Sequence, residues 1–182
     1  MDIASRHSLY VIEDAAQAIG ASLKGEKVGS MGDLAAFSLH PLKNLFVMGD
    51  GGFISMKCPF IYEKIKKIRN HGLIDRDTCA FWGMNSRLDT IHCAIGLEKI
   101  KVFDSITNRF KKVARMYKEG LVEVVNVPDE PAGMSAVYHN FVITCERRDE
   151  LSQYLSVNGI ETKMHYPILL HRQPAAIGLC NG

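Results

Sequence analysis

At 182 residues and 47% apolar composition the chain is long enough to bury a core and ordinary enough in make-up to be globular. A formal net charge of +2 argues against a polyanionic partner. No apolar run approaches the roughly 20 residues of a membrane span, and Met1-Asp2-Ile3-Ala4-Ser5-Arg6-His7 lacks the basic-then-apolar order of a signal peptide.

In chain order the elements alternate between α and β. Leu9 to Ile12 is a short apolar run ending at Glu13-Asp14, the pattern of a buried strand, and Leu34 to Ser38 and Gly52 to Met56 read as two more. The intervening Gly49-Asp50-Gly51-Gly52 opens onto a strand and not a helix, so it reads as a tight turn and not a phosphate loop. Pro59 suits a helix first turn, and the helix should run to about His71, with Gly72 at C′ and Arg69 and His71 in the last turn. Ser86-x-x-Asp89 has capping-box form with Asp in place of Glu. Behind it Leu97, Ile100, Phe103, Ile106, Phe110, Val113 and Tyr117 recur at helical spacing. A run from Leu88 to Glu119 is long for one globular helix, so a bend or break is expected near Phe103-Asp104. Pro128-Asp129-Glu130-Pro131-Ala132-Gly133 is a loop, because its prolines and glycine exclude a continuous helix or central strand. Ala136 to Cys145 reads as a strand, and Asp149 to Val157 as a helix stopped by Asn158-Gly159. Ile160 to Met164 reads as a further strand leading into His165-Tyr166-Pro167.

The polar residues narrow the chemistry. Basic residues cluster at Lys64, Lys66, Lys67 and Arg69 and again at Arg109, Lys111, Lys112 and Arg115, but at helical spacing such runs are solvated faces. The cysteines (Cys58, Cys79, Cys93, Cys145, Cys180) are odd in number, widely spaced and form no C-x-x-C pair, which fits a reducing, cytoplasmic compartment. His165 and His171 are poorly spaced for two ligands on one helical face, so no metal is expected. Two segments carry the more specific signal: Val11-Ile12-Glu13-Asp14-Ala15-Ala16-Gln17, and Phe37-Ser38-Leu39-His40-Pro41-Leu42-Lys43-Asn44. A carboxylate ends one strand and a lysine follows another, spacing that suits a cofactor held between neighbouring strand ends. Pyridoxal 5'-phosphate (PLP) needs an acid to hold its ring-nitrogen proton, a primary amine for its aldehyde, and hydroxyl or amide donors for its phosphate. Asp14, Lys43 and Ser38 meet those demands, and Gln17 is a donor for the ring oxygen; taken alone, the same residues also fit a surface lysine and a capping aspartate.

The string from Val11 to Ser55 resembles the core of the DegT/DnrJ/EryC1/StrS aminotransferases. The similarity continues through Ile68-Arg69-Asn70-His71-Gly72, Gly83-Met84-Asn85-Ser86-Arg87-Leu88-Asp89, Tyr138-His139-Asn140-Phe141-Val142, and Gly159-Ile160 to His165-Tyr166-Pro167. The resemblance implies an α/β chain carrying a partial PLP-dependent transferase fold of type I, like aspartate aminotransferase. Residues 1–104 would be the C-terminal part of the large PLP-binding domain and 105–182 an incomplete small C-terminal domain, the whole a fragment without the family's N-terminal half or its C-terminal end. Carried over by position, Lys43 becomes the Schiff-base lysine, Asp14 the partner of the pyridinium nitrogen, Gln17 the contact to the ring oxygen and Ser38 a phosphate ligand. Asn85 matches an asparagine that reaches the phosphate across a homodimer interface, and His40 receives no role. Lysine at position 43, where some relatives carry histidine and dehydrate, favours transamination. The implied reaction moves an amino group from a donor such as glutamate or glutamine to a keto-sugar, commonly nucleotide-linked, in polysaccharide or lipopolysaccharide biosynthesis. The alternatives are an inactive fragment, a non-catalytic PLP-binding or interaction module, and a PLP-dependent regulator, the last without any helix-turn-helix element to support it.

Overall fold

The computed structural model describes residues 1–177, whose contacts group into two compact units, Met1–Ile143 and a second that begins at Thr144. In the first unit a short helix, α1 (Asp2–Arg6), leads into a three-stranded sheet of β1 (Ile12–Asp14), β4 (Leu34–Ser38) and β5 (Gly52–Met56), in the order β1-β4-β5. β1 runs parallel to β4 with Asp14 opposite Ala36, and β5 runs antiparallel to β4 with Gly52 opposite Ser38. The ladder begins later than the apolar run that announced it: Leu9 N–H is bonded to the Ala4 carbonyl at the end of α1, so pairing starts at Ile12. β4 and β5 keep the expected bounds.

Alternation along β4 decides which side of the sheet is covered. Ala35 and Phe37 are buried and join Ala15 in a core cluster supported by Ala18, Ile19 and Val28, while Ala36 on the other face stays exposed. Phe37 stacks on its cross-strand partner Phe53 with ring centroids 4.5 Å apart. A second cluster of Leu39, Leu45 and Val47 lies just beyond β4 and is packed by Ile19, Leu88 and Phe103. Gly52 is required at the start of β5, because a Cβ there would stand 2.6 Å from the Phe37 carbonyl oxygen.

The link from β1 to β4 holds a hairpin of β2 (Ser22–Leu23) and β3 (Glu26–Lys27), turned at Lys24-Gly25, both at positive φ as a type I′ turn requires. β6 (Met134–Ser135) pairs antiparallel with the outer side of β2. The Glu13 carboxylate fastens the same link, accepting the backbone N–H groups of Gly29, Met31 and Gly32 at 2.8, 2.9 and 2.6 Å.

α2 (Pro59–Ile68) starts on Pro59 as expected but ends sooner. His71 takes the left-handed position at φ +62, its N–H bonds to the Met84 carbonyl, and Gly72 N–H closes the end on the Lys67 carbonyl at 2.8 Å. Gly72 therefore sits one place beyond the position the sequence assigned to it. The capping box does not form: Ser86 N–H is bonded to the Arg69 carbonyl, and the next helix begins at Thr90 behind Asp89, which caps nothing with its side chain. The long helical pattern divides into α3 (Thr90–Ile100) and α4 (Phe103–Leu121). The break falls at Lys101-Val102, where tight bonds to Glu98 and Lys99 replace the α-helical ones.

The expected strand from Ala136 to Cys145 is not present as a strand; the described residues form the β6 pair just before it and a single β-bridge residue at Thr144. In the second unit α5 (Arg148–Val157) carries Asp149 and Glu150 in its first turn, where the helix dipole favours them. It closes through Gly159 at φ +77, with Ile160 N–H on the Leu155 carbonyl. Ile160 to Met164 is likewise not a strand, and two single-turn 3-10 helices follow at Leu170–Arg172 and Pro174–Ala176. Both segments have strand-forming side chains but pair in no ladder among the described residues, and side-chain preference alone does not make a strand.

Candidate functional site

Asp14 closes β1 and Ser38 closes β4, and the two strands run the same way. Asp14 registers with Ala36, and Ser38 lies two residues further along, so carboxylate and hydroxyl leave the same face at the carboxyl end of the sheet. It is the uncovered face, where Ala36, opposite Asp14, is exposed.

Local hydrogen bonds set each group. Asp14 Oδ1 accepts Ala16 N–H at 3.1 Å, an Asx turn that brings the exposed Gln17 round beside it in the chain. Ser38 Oγ accepts His40 N–H at 3.3 Å, and the His40 carbonyl accepts Lys43 N–H at 2.8 Å, so Lys43 lies on a turn springing from the end of β4. Nδ1 of His40 accepts Leu42 N–H at 3.2 Å, which leaves Nε2 to face the Asp50 carboxylate at 4.0 Å. Lys43 is half-buried, between exposed Leu42 and buried Asn44. Among the described residues neither Asp14 nor Lys43 takes part in a salt bridge.

Asn85 is not on this sheet. It forms an isolated bridge with Asn70, and its Oδ1 accepts Arg87 Nε at 2.9 Å. Asp14, Gln17, Ser38 and Lys43 thus follow from one pair of strand ends, whereas Asn85 belongs to the segment behind α2. One residue escaped the sequence reading. Asn44, beside Lys43, is only 7% exposed and is held at both ends of its amide. A polar side chain among Leu42, Leu45 and Phe46 was its only signal.

The donor set suits PLP. An acid, a primary amine and a hydroxyl are the donors that the three chemically distinct ends of that molecule need; the acid and the hydroxyl stand on an open face that carries nothing larger than Ala36 between their positions in β4 register, and the amine lies on the turn that follows.

The fold is that of the type I PLP-dependent transferases, here as part of their sheet. Solved structures agree: a DegT DnrJ EryC1 StrS aminotransferase from Brucella abortus superposes with a TM-score of 0.93 at 34% identity, over 97% of this chain and 48% of that one. S. venezuelae DesV, solved in complex with ketimine intermediate, gives 0.93 at 37% identity over the same shares. The chain belongs to the DegT/DnrJ/EryC1/StrS aminotransferase family, whose model matches residues 1–181. Among curated relatives it is 37% identical to the dTDP-3-amino-3,4,6-trideoxy-alpha-D-glucose transaminase of Streptomyces venezuelae, over 97% of this chain and 47% of the relative. It is 41% identical to a pleiotropic regulatory protein of Geobacillus stearothermophilus, over 99% of this chain and 50% of the relative. The chain spans about half the length of the relatives it matches.

Proposed function

We propose that this chain supplies the acid, amine and hydroxyl of a PLP site used to aminate a nucleotide-linked keto-sugar, with glutamate or glutamine as donor. The observation that carries the reading is that Asp14 and Ser38 end two parallel strands on one open face, with Lys43 on the turn that springs from the second. Relatives named as transaminases of dTDP- and UDP-linked sugars support the substrate class.

When bound, PLP supplies an electron sink for the charge left on carbon as a proton departs. Asp14 would hold the proton of the ring nitrogen, which keeps that sink effective. Lys43 would bind the aldehyde through Nζ and, once released by an incoming amine, carry a proton at Nζ between donor carbon and cofactor carbon. Ser38 Oγ–H would donate to the phosphate and the Gln17 amide to the ring oxygen. Asn85 lies away from the sheet, bridged to Asn70, and suits a contact with the phosphate of a second subunit in a homodimer. A cytoplasmic setting, where nucleotide sugars are made for surface polysaccharides, completes the reading.

The test is to incubate the 182-residue chain with PLP, reduce with borohydride, and map the modified peptide. Label concentrated at Lys43, and absent from Lys43→Ala, is the expected result. Label spread over surface lysines, or none at all, refutes the assignment of Lys43.

A further inference from the structure

Asn44 is the one buried amide side chain in the neighbourhood of Lys43, and both of its ends are committed. Its Nδ2 donates to the Val137 carbonyl at 2.9 Å. Its Oδ1 lies 3.2 Å from His139 Nδ1 and can only accept, so His139 carries a proton on Nδ1. The two bonds span 93 and 95 residues of sequence, and they join the turn after β4 to the segment behind β6. That segment is itself fixed. Val137 is 3% exposed, and its neighbours are gripped by Glu130, which accepts Ala136 N–H at 2.7 Å and the Tyr138 hydroxyl at 2.8 Å. Lys111 Nζ on α4 adds a bond to Ser135 Oγ at 2.6 Å.

We infer that Asn44 is a positioning residue for Lys43, acting as a clamp that fixes the lysine turn to residues 137–139. The inference rests on the proposed cofactor role of Lys43. A lysine side chain has several freely rotating bonds, and only its backbone origin can be fixed by the fold. The bonds of Leu42 and Lys43 N–H to His40 stay within the turn, and the Leu42 side chain is exposed, so Asn44 supplies the tie from the turn to a distant part of the fold. An amide suits the task because it donates and accepts along one plane, which sets the direction of the turn as well as its position.

The experiment compares borohydride-trapped PLP in the full 182-residue chain with that in Asn44→Ala, His139→Ala and His139→Gln. Label at Lys43 is expressed relative to label on surface lysines. Visible circular dichroism of the bound cofactor reports whether its orientation is fixed, and thermal melts report folding. Asn44→Ala should lower the relative labelling of Lys43 about tenfold and remove most of the visible dichroism, as follows from loss of two buried hydrogen bonds. His139→Ala should lower labelling by roughly threefold, and His139→Gln, which restores a donor, should recover it. If Asn44→Ala does not melt cooperatively, the two His139 variants carry the test. Equal labelling at Lys43 in wild type and in every folded variant overturns the clamp and leaves the cofactor reading intact. Absence of Lys43 labelling in the wild type overturns the cofactor reading, and the clamp with it.

Discussion

Glu13 stands next to Asp14 but points into the link between β1 and β4, and its replacement by glutamine is a sharp test of how the acid end of the site is held. One carboxylate oxygen accepts Met31 and Gly32 N–H, the other accepts Gly29 N–H. In Glu13→Gln one oxygen becomes an NH2 group, so at least one of these backbone donors meets another donor, and the remaining bonds lose their charge. Bonds to a charged acceptor contribute about 1.5–3 kcal/mol each and an orphaned buried donor costs about 1–3 kcal/mol. With the site only half-buried, the expected loss is about 2–3 kcal/mol, or a fall in Tm of roughly 4–12 °C for a chain of this size. Hydrogen exchange of the Gly29, Met31 and Gly32 amides should quicken by about 30-fold where opening is local. The cost should also depend on pH. Desolvation is the largest single influence on the Glu13 carboxyl and works upward, but the bonds from Gly32, Gly29 and Met31, with Lys57 nearby, bring it below its ordinary value of 4.5. A depressed carboxyl stabilises above its unfolded value and ceases to do so as pH falls through its folded one. Wild type and Glu13→Gln should therefore differ at pH 7 and converge below the ordinary carboxylate range. Unchanged exchange at those amides, or a stability gap that is the same at low and neutral pH, would refute the reasoning.

Two further predictions concern polar groups elsewhere in the first unit. The Glu130 carboxyl is held low, chiefly by Ala136 N–H, against desolvation and with help from the Tyr138 hydroxyl, Lys118 and Lys111. Glu130→Gln should consequently flatten the loss of Tm between neutral pH and the range below 4.5, the ordinary value of that carboxyl; an unaltered Tm–pH profile counts against it. Thr107 is buried in α4 with no hydrogen-bond partner for its hydroxyl among the described residues. Thr107→Val keeps the shape and removes the unpaired group, so urea unfolding should show a gain of about 1 kcal/mol, and a loss would mean the hydroxyl is satisfied.

The sequence was most legible where a local pattern was enough. Leu34–Ser38 alternates around Ala35 and Phe37, and Gly52 permits the close approach to Phe37, so both strands appear where the side chains place them. It misled where the outcome depended on a partner elsewhere. Val142 and Ile143, like Ile160 and Thr162, are strand-forming residues, yet side-chain preference cannot supply a neighbouring strand. Ser86 has the right spacing for a cap, but its N–H is already bound to Arg69. The same division holds for the proposed site. Asp14, Ser38 and Lys43 are readable from residue type, strand ends and family resemblance, because each lies in a contiguous motif. Asn44 is not, because what makes it special is a carbonyl 93 residues away.

That separation has a consequence for the order in which the molecule is built. A chain emerging from its N-terminus has β1, β4 and β5 in hand by Met56. Their pairing closes short loops, which are entropically cheap and quick to form. The Asn44 amide must wait until Val137 and His139 have been synthesised before it has anything to hold. The strand ends bearing Asp14 and Ser38 thus rest on pairings complete by Met56, while the turn bearing Lys43 gains its long-range tie only once residues 137–139 exist, so truncation before residue 137 should spare the strand pairing and remove both bonds of the Asn44 amide.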